Sequence, residues 1–299
     1  MTLLILRPDS WETTRYLTRH LIRWAFRGHE NASWNLDTTL HRNAQQFGCE
    51  TDWLYGREAW MLRQFQRRAH HYINDPPSYE QRLEWLALIQ HYGGPTRLLD
   101  FTHSFYVAAF FALERATQDA AVWGINLEIL EKAIRKKLKL GPMGEDEDID
   151  KINTKLIELA DIYLRGESSA KLVLHVEPDR MNERLSIQQS LFLFPCDICS
   201  SFEDNLAATF NFKSAIFKKQ KEISISRKDI TSLDMDNKRF IKIILPQRSI
   251  QTALNDLHDM NVTSATLFPG LDGFARSLYY HLRSLTFDEE FFDRFNVPE

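Results

Sequence analysis

The sequence has 299 residues, of which 43% are hydrophobic, enough apolar material for one large domain or two modest ones. The formal net charge of -4 argues against nonspecific duplex binding but is compatible with a local basic groove. Cys196 and Cys199 have metal-ligand spacing, but a structural zinc site needs four ligands and no second pair of this kind exists. No apolar run approaches the length of a membrane-spanning helix. We therefore expect a cytoplasmic protein with reduced thiols, no membrane partner and no metal.

Helices dominate the first half of the chain. Apolar periodicity and turn residues predict these elements in chain order: a helix at 10–21 with Asp9 or Ser10 as N-cap, a short strand at 24–26, helices at 51–72 and 79–91, a loop at 96–102, a buried helix at 107–116 and a strand at 121–127. Within 51–72, Trp53, Leu54, Trp60 and Leu62 lie at roughly helical spacing.

The second half mixes strands and helices without regular alternation. We predict a helical insertion at about 128–166, which includes the acidic connector GEDEDID, interpreted as a solvated turn. Strands follow at 171–176, 190–195 and 239–245, and helices at 248–260 and within 271–283. An irregular order of this kind favours an α+β fold in a single domain over 1–299.

Four short clusters stand out as candidates for chemistry: Phe26-Arg27-Gly28, QHYGGPTRLLDFTHSFYVAAFFA at 90–112, ERLSIQQSLFLFP at 183–195 and ATLFPGLDGFA at 265–275. Arginine is rarely buried without a partner. Arg27 therefore either closes an ion pair, with Asp100 or Glu114, or faces an anion in a cleft. Arg97 and Asp100 are likewise either a pair that braces their loop or ligand-binding residues. His91 and His103 flank the same loop.

These four clusters, in this order, resemble the FRG domain family. A more distant resemblance links them to arginine-type ADP-ribosyltransferases. Phe26-Arg27-Gly28 is similar to the aromatic-Arg-Gly strand that opens the transferase site, and residues 107–112 are similar to its Val-Ala-x-x-Phe-Ala helix. Thr102 takes the place of the last serine of the transferase strand, and Gln188-Gln189 that of its Glu-x-Glu turn. The resemblance implies an ADP-ribosyltransferase-like split β-sandwich surrounded by helices.

The resemblance also implies NAD as co-substrate and Arg27, Thr102 and Gln188 as catalytic residues. The residues it suggests for cofactor binding are Arg27, Gly28, Tyr92, Arg97, Asp100, Phe101 and Thr102. Arg27 would hold phosphate or ribose oxygens, Gly28 would let the backbone approach the ligand, and Thr102 would bond Arg27 or the ribose. Tyr92 or Phe101 would stack on the nicotinamide ring. Gln188 carries no charge where the transferases have a glutamate. This departure is compatible with a slow enzyme, with a non-catalytic NAD binder, or with a carboxylate supplied by Asp100 or Glu183.

The implied activity is transfer of ADP-ribose to a macromolecular acceptor, either protein or RNA/DNA, or to water. The implied setting is a bacterial toxin or anti-phage defence effector with a cognate antitoxin or chaperone. The basic segments 66–71 and 217–228 are either a nucleic-acid path or solvated faces. The alternative is a non-catalytic recognition module that binds a nucleotide, nucleic acid or partner protein in the Arg27 pocket.

Overall fold

A computed structural model describes residues 3–139, 149–178 and 183–284. Its strands form one mixed sheet in the order β5-β6-β3-β2-β4-β8-β1-β7. The strands are β1 (Leu3–Pro8), β2 (Trp24–His29), β3 (Leu99–Thr102), β4 (Ala120–Asn126), β5 (Val173–Val176), β6 (Ser190–Pro195), β7 (Gln220–Ile225) and β8 (Phe240–Leu245). β1 runs parallel to β7 and β8, and the remaining neighbours pair antiparallel.

Helices cover both faces of the sheet. Those of the first half are α1 (Trp11–Thr18), α2 (Thr39–Gln46), α3 (Leu54–Ala69), α4 (Arg82–His91), α5 (Phe105–Leu113) and α6 (Leu127–Lys137). Those of the second half are α7 (Ile149–Leu164), α8 (Glu183–Ile187), α9 (Phe202–Thr209), α10 (Ala215–Lys218), α11 (Arg227–Ile230), α12 (Ile250–Asp259), α13 (Ser264–Leu267), α14 (Leu271–Ser277) and α15 (Tyr279–Ser284). Short 3₁₀ turns cover Thr51–Trp53 and Gln247–Ser249.

The sheet separates two hydrophobic cores. One core takes buried residues from α3, α4, α6, α7 and α9, and the other takes them from α1, α5 and α12. β2 serves both, because successive side chains of a strand point to opposite faces: Ala25 lies in the first core, and Trp24 and Phe26 lie in the second.

The α+β class is confirmed, and the central strands and helices lie close to their predicted positions. β2 is longer than predicted and runs to His29, so Arg27 and Gly28 lie inside the strand. The predicted loop at 96–102 was wrong in part, because Leu99–Thr102 forms β3 between two neighbours. β1 and β7 were not predicted, and β7 lies within the basic segment 217–228.

The predicted insertion between β4 and β5 contributes α6 and α7. Leu130 and Ile134 of α6 and Leu156 and Ala160 of α7 are buried in the first core, so both helices are packed against the sheet domain. The acidic connector lies mostly outside the described residues. No helix in the described ranges combines the length and apolar character that crossing a membrane requires.

Candidate functional site

A cleft lies where β2 and β3 separate. These two strands pair at one position, Phe26 with Thr102, whereas β2 pairs with β4 from Trp24 to His29 and β3 pairs with β6 from Leu99 to Thr102. The opening beyond this pair has a volume of about 340 Å³. Its lining includes Arg27, Thr102 and Gln188 together, so the fold brings the three residues predicted as catalytic to one place.

Arg27 is held inside the cleft by two contacts. Its Nη1 donates to the backbone carbonyl of Asp100 at 2.8 Å, and the Asp100 carboxylate lies 3.7 Å from the same nitrogen. Its Nε donates to Nε2 of His29 at 3.3 Å. The side chain is 17% exposed, and burial lowers the pKa of the guanidinium from its usual value, opposed by the charge of Asp100. The arginine therefore has a fixed orientation and a weak ion pair.

His29 is the uncharged side chain that accepts the hydrogen bond from Nε of Arg27. It lies two residues along β2 from Arg27, is 3% exposed and is deeply desolvated. Burial, reinforced by the charges of Arg27, Lys242 and Arg42, lowers the pKa of His29 to about 2. An imidazole that stays uncharged keeps an acceptor lone pair at Nε2, which orients Arg27 without adding repulsion.

Thr102 and Gln188 connect two walls of the cleft. The Thr102 hydroxyl donates to the backbone carbonyl of Gln188 at 2.7 Å and accepts the backbone N–H of Ser104. The Gln188 side-chain amide donates to the carbonyl of Leu267 at 2.9 Å. The predicted hydrogen bond from Thr102 to Arg27 is therefore not formed in this structure, because the hydroxyl is directed to the turn that precedes β6.

Gly28 was predicted to admit a ligand, and the structure gives a different reason for it. A Cβ at this position would lie 2.1 Å from the carbonyl oxygen of Ala108 and 2.6 Å from the backbone nitrogen of Ala112, both in α5. The missing side chain thus makes room for α5 against β2. The backbone of Gly28 still borders the cleft.

Asp100 is the carboxylate closest to Arg27. Its Oδ2 accepts from the Gln90 side-chain amide at 2.7 Å, and Gln90 in turn accepts from the Thr96 hydroxyl. The side chain is 45% exposed and lines the cleft. A hydrogen-bonded carboxylate that is open to the cleft can accept a ligand hydroxyl. Glu183, the other predicted source of charge, is exposed and does not line the cleft.

The cleft is also lined by two arginines that the sequence motifs did not identify. Arg42 lies on α2, outside the four clusters, and Arg184 lies on α8 within the third cluster. The Arg184 guanidinium lies 4.4 Å from the ring centre of Phe268, and burial lowers its pKa. No carboxylate forms an ion pair with either arginine among the described residues. Together with Arg27 they give the cleft three arginines against two carboxylates, Asp100 and Glu30, so its formal charge is positive.

Comparison with protein families assigns the segment that contains the first two clusters. The FRG domain model matches residues 22–121. Residues 22–121, about a third of the chain, are therefore identified as an FRG domain. The matched segment covers Arg27, Asp100 and Thr102, whereas Arg184 and Gln188 lie beyond it. Comparison with curated proteins and with solved structures found no match.

Two residues of the FRG segment that were predicted to bind the cofactor lie elsewhere. Arg97 is 1% exposed and its Nε donates to both carboxylate oxygens of Glu58, at 2.8 and 3.0 Å. Its guanidinium also lies 5.0 Å from the ring centre of Phe194. The prediction was wrong because Arg97 points to a buried carboxylate on α3, and the expected partner Asp100 binds Gln90 instead.

Tyr92 of the FRG segment is 64% exposed and borders a different hollow beside α3, so its predicted place in the cleft was also wrong. Phe101 does border the cleft but is 2% exposed and belongs to the first core. Glu114, the other partner considered for Arg27, instead pairs with Arg276 and Ser264.

Proposed function

We propose that this FRG domain protein binds NAD in the Arg27 cleft and transfers its ADP-ribose to a macromolecular acceptor. The observation that carries the proposal is the convergence of Arg27, Thr102 and Gln188 on one electropositive cleft that also contains Asp100. A volume of about 340 Å³ lies within the range of small-molecule sites.

The arginines match the charge of the dinucleotide. NAD presents a diphosphate, and planar guanidinium groups bind phosphate oxygens through two parallel hydrogen bonds. Arg42 and Arg184 have no ion-pair partner within the described ranges, so binding a diphosphate would break no existing ion pair of theirs. Arg27, which is fixed by His29 and Asp100, would hold the nicotinamide ribose or the adjacent phosphate.

Cleavage requires stabilisation of a positive ribose. When the bond from the anomeric carbon to nicotinamide breaks, the electron pair leaves with neutral nicotinamide and the ribose becomes oxocarbenium-like. A nucleophile of the acceptor, or water, then forms the new bond at that carbon and releases a proton. We assign the opposing negative charge to Asp100, since its carboxylate is ordered by Gln90 and open to the cleft.

The catalytic role of Thr102 and Gln188 stays a prediction. Their contacts support a positioning role, because the Thr102 hydroxyl joins β3 to the turn before β6 and the Gln188 amide joins that turn to Leu267. The proposal also includes the finer fold prediction, an ADP-ribosyltransferase-like split β-sandwich, and the separation of β2 from β3 supports it. The toxin or anti-phage setting, the antitoxin and the cytoplasmic location rest on the resemblance alone.

One observation favours the alternative of a non-catalytic recognition module. Gln188 takes the place of the transferase glutamate. Its side chain is uncharged and already donates a hydrogen bond to the carbonyl of Leu267. In that case the same three arginines would hold a nucleotide or a phosphate group without cleaving it.

The test measures nicotinamide release and transfer of labelled ADP-ribose to cell lysate, beside NAD binding by calorimetry. We expect turnover by the wild-type protein and its loss in Arg27→Ala, with partial retention in Arg27→Lys. Arg115→Ala is the matched control, because Arg115 is exposed and outside the cleft. NAD binding without turnover would support the recognition module, and absence of NAD binding would exclude both uses of NAD. Growth inhibition on expression, abolished by Arg27→Ala, would test the toxin setting.

A further inference from the structure

A long apolar groove runs beside α3 on the surface of the protein. It consists of two adjoining hollows of about 600 and 490 Å³, which share Trp60, Met61 and Pro95. Its floor is formed by side chains such as Phe65 and Ile89. Contiguous apolar surface of this extent on a soluble protein marks a binding site more often than a bare surface.

Solvent-exposed aromatic side chains line this groove. Trp53 is 66% exposed, Trp60 64%, Tyr72 85% and Tyr92 64%. Of the residues noted for their helical spacing, Leu54 and Leu62 are buried, whereas Trp53 and Trp60 are exposed. Rings this exposed bury little of their surface within the domain, so their faces are available to stack on a ligand.

The same helix is strongly basic. α3 carries Arg57, Arg63, Arg67 and Arg68, and all four are exposed. Its one acidic residue, Glu58, is buried and bound to Arg97, so it neutralises none of them. Within the described part of the chain, Arg57, Arg63 and Arg67 form no ion pair. This local charge contrasts with the net charge of -4 for the whole protein.

One stripe of α3 carries two arginines with a tryptophan between them. Arg57, Trp60, Gln64 and Arg68 follow one another at intervals of three or four residues and all border the groove. Arg57 and Arg68 are about 16 Å apart along the helix axis at 1.5 Å per residue. Proteins bind single-stranded nucleic acid with this combination, because bases stack on aromatic faces while arginines hold the phosphates.

We propose that the groove binds single-stranded nucleic acid, with bases on Trp60, Tyr92 and Tyr72 and phosphates on Arg57 and Arg68. A protein ligand would satisfy the apolar floor, but it would also need acidic groups to match Arg57 and Arg68. A nucleic acid strand has bases that match the apolar and aromatic surface and phosphates that match the arginines, and both repeat along its whole length.

Two residues adjacent in sequence border the groove and the Arg27 cleft. Tyr92 borders the groove, His91 borders the cleft, and their ring centres are 4.9 Å apart. A strand that lies on α3 and passes Tyr92 would present its next base or its end to the cleft. This step rests on the proposed function and deepens it, since it makes single-stranded RNA or DNA the class of ADP-ribose acceptor.

The test is fluorescence anisotropy with labelled RNA and DNA oligonucleotides of mixed sequence, without NAD, over a series of salt concentrations. We expect binding by the wild-type protein and a loss of about tenfold in affinity for Trp60→Ala, which removes one stacking platform. For Arg57→Gln/Arg68→Gln we expect the slope of log affinity against log salt to fall by about 1.4, because each lost phosphate contact on a single strand contributes about 0.7.

Controls remove equivalent groups elsewhere. Tyr279→Ala removes a ring that is 65% exposed outside the groove, and Arg115→Gln/Lys228→Gln removes two exposed charges outside it. Circular dichroism verifies that each variant is folded. No binding of either oligonucleotide by the wild-type protein, or equal losses in groove and control variants, would overturn the proposal and leave a protein partner for this surface. Comparing RNA with DNA identifies the preferred strand.

The two proposals fail separately. The binding assay contains no NAD, so its failure concerns the groove alone. The calorimetric measurement of NAD binding contains no nucleic acid and needs no acceptor, so its failure concerns the cleft alone. Labelled ADP-ribose on the oligonucleotide, with less label in Trp60→Ala at the same oligonucleotide concentration, is the result expected if both hold.

Discussion

The guanidinium Nε of Arg27 donates to the Nε2 of His29 at 3.3 Å, between two side chains on the same face of one strand. The pair works only while the imidazole is neutral, because a protonated ring has no acceptor at that nitrogen. His29 also lies in the same buried region as Lys242, whose charge, like those of Arg27 and Arg42, opposes protonation. The orientation of Arg27 therefore depends on a histidine that the fold keeps uncharged.

The first prediction concerns the pH dependence of stability. Burial, with Arg27 and Lys242, lowers the pKa of His29 from 6.5 to about 2, so below pH 6.5 the unfolded chain binds a proton there that the folded one excludes. Burial raises the pKa of Glu203 from 4.5 to about 7, so from pH 7 down to 4.5 the folded chain binds the extra proton. His29 therefore lowers the free energy of unfolding on acidification by about 1.4 kcal/mol per pH unit, and Glu203 raises it by a similar slope.

Two variants separate these opposed effects. Between pH 6.5 and 4.5, His29→Gln should gain stability relative to the wild type as the pH falls, and Glu203→Gln should lose it. Urea unfolding at pH 6.5, 5.5 and 4.5 measures both slopes. Parallel curves for the three proteins would contradict the assigned burial of these groups.

The second prediction concerns the buried pair Arg97 and Glu58. Arg97→Met leaves the Glu58 carboxylate desolvated without its counter-charge, so we expect a loss of about 3–5 kcal/mol in the free energy of unfolding. Arg97→Met/Glu58→Met should recover much of it. Arg82→Met, which breaks the partly exposed pair with Asp161, serves as the control and should cost less than about 1 kcal/mol. An equal cost for both single variants would show that burial does not distinguish the pairs.

The third prediction compares two glycines. Gly28→Ala places a Cβ against the backbone of Ala108 and Ala112, so α5 must move and we expect a loss of about 1–3 kcal/mol. Gly56→Ala lies within α3 with open space around it and should gain up to about 1 kcal/mol from helix propensity. Thermal and urea unfolding report both changes. A neutral Gly28→Ala would mean that α5 does not pack on this strand as described.

The fourth prediction tests the carboxylate of the proposed reaction. Asp100→Asn keeps an acceptor for Gln90 but removes the negative charge, so nicotinamide release should fall by a few hundredfold while the dissociation constant of NAD changes far less. Asp236→Asn, an exposed residue outside the cleft, is the matched control. If release is unchanged in Asp100→Asn, the charge that opposes the oxocarbenium ion comes from another group.

Sequence patterns predicted the fold class and the central elements because those segments are apolar and long. The strand at 190–195 was predicted with its observed bounds, since all six residues are buried between neighbours. β3 was predicted as a loop because four residues between a proline-containing turn and a helix are too few to show periodicity. β7 was missed because Lys221 and Glu222 lie in an exposed strand at the sheet edge, where no apolar face is required.

Short sequence motifs identified three residues that the structure brings together. Arg27, Thr102 and Gln188 were identified from short motifs, and the structure places them in one cleft. Arg97 and Tyr92 were misplaced, because sequence spacing within a turn does not determine the direction of a side chain. Arg42 could not be found from sequence, since its role depends on where α2 packs. Arg184 had a usable signal, a positive charge within the third cluster.

The single pairing of Phe26 with Thr102 has a consequence for the mechanics of the molecule. On one side of it lie β5, β6 and β3, and on the other lie β2, β4, β8, β1 and β7. Between these two groups of strands, backbone pairing is therefore limited to one position, next to Arg27. Arg27 lies on β2, and Arg184 lies on the helix that leads into β6. A ligand that contacts both would connect the two groups of strands a second time, so occupancy of the cleft and stability of the whole sheet would be thermodynamically linked.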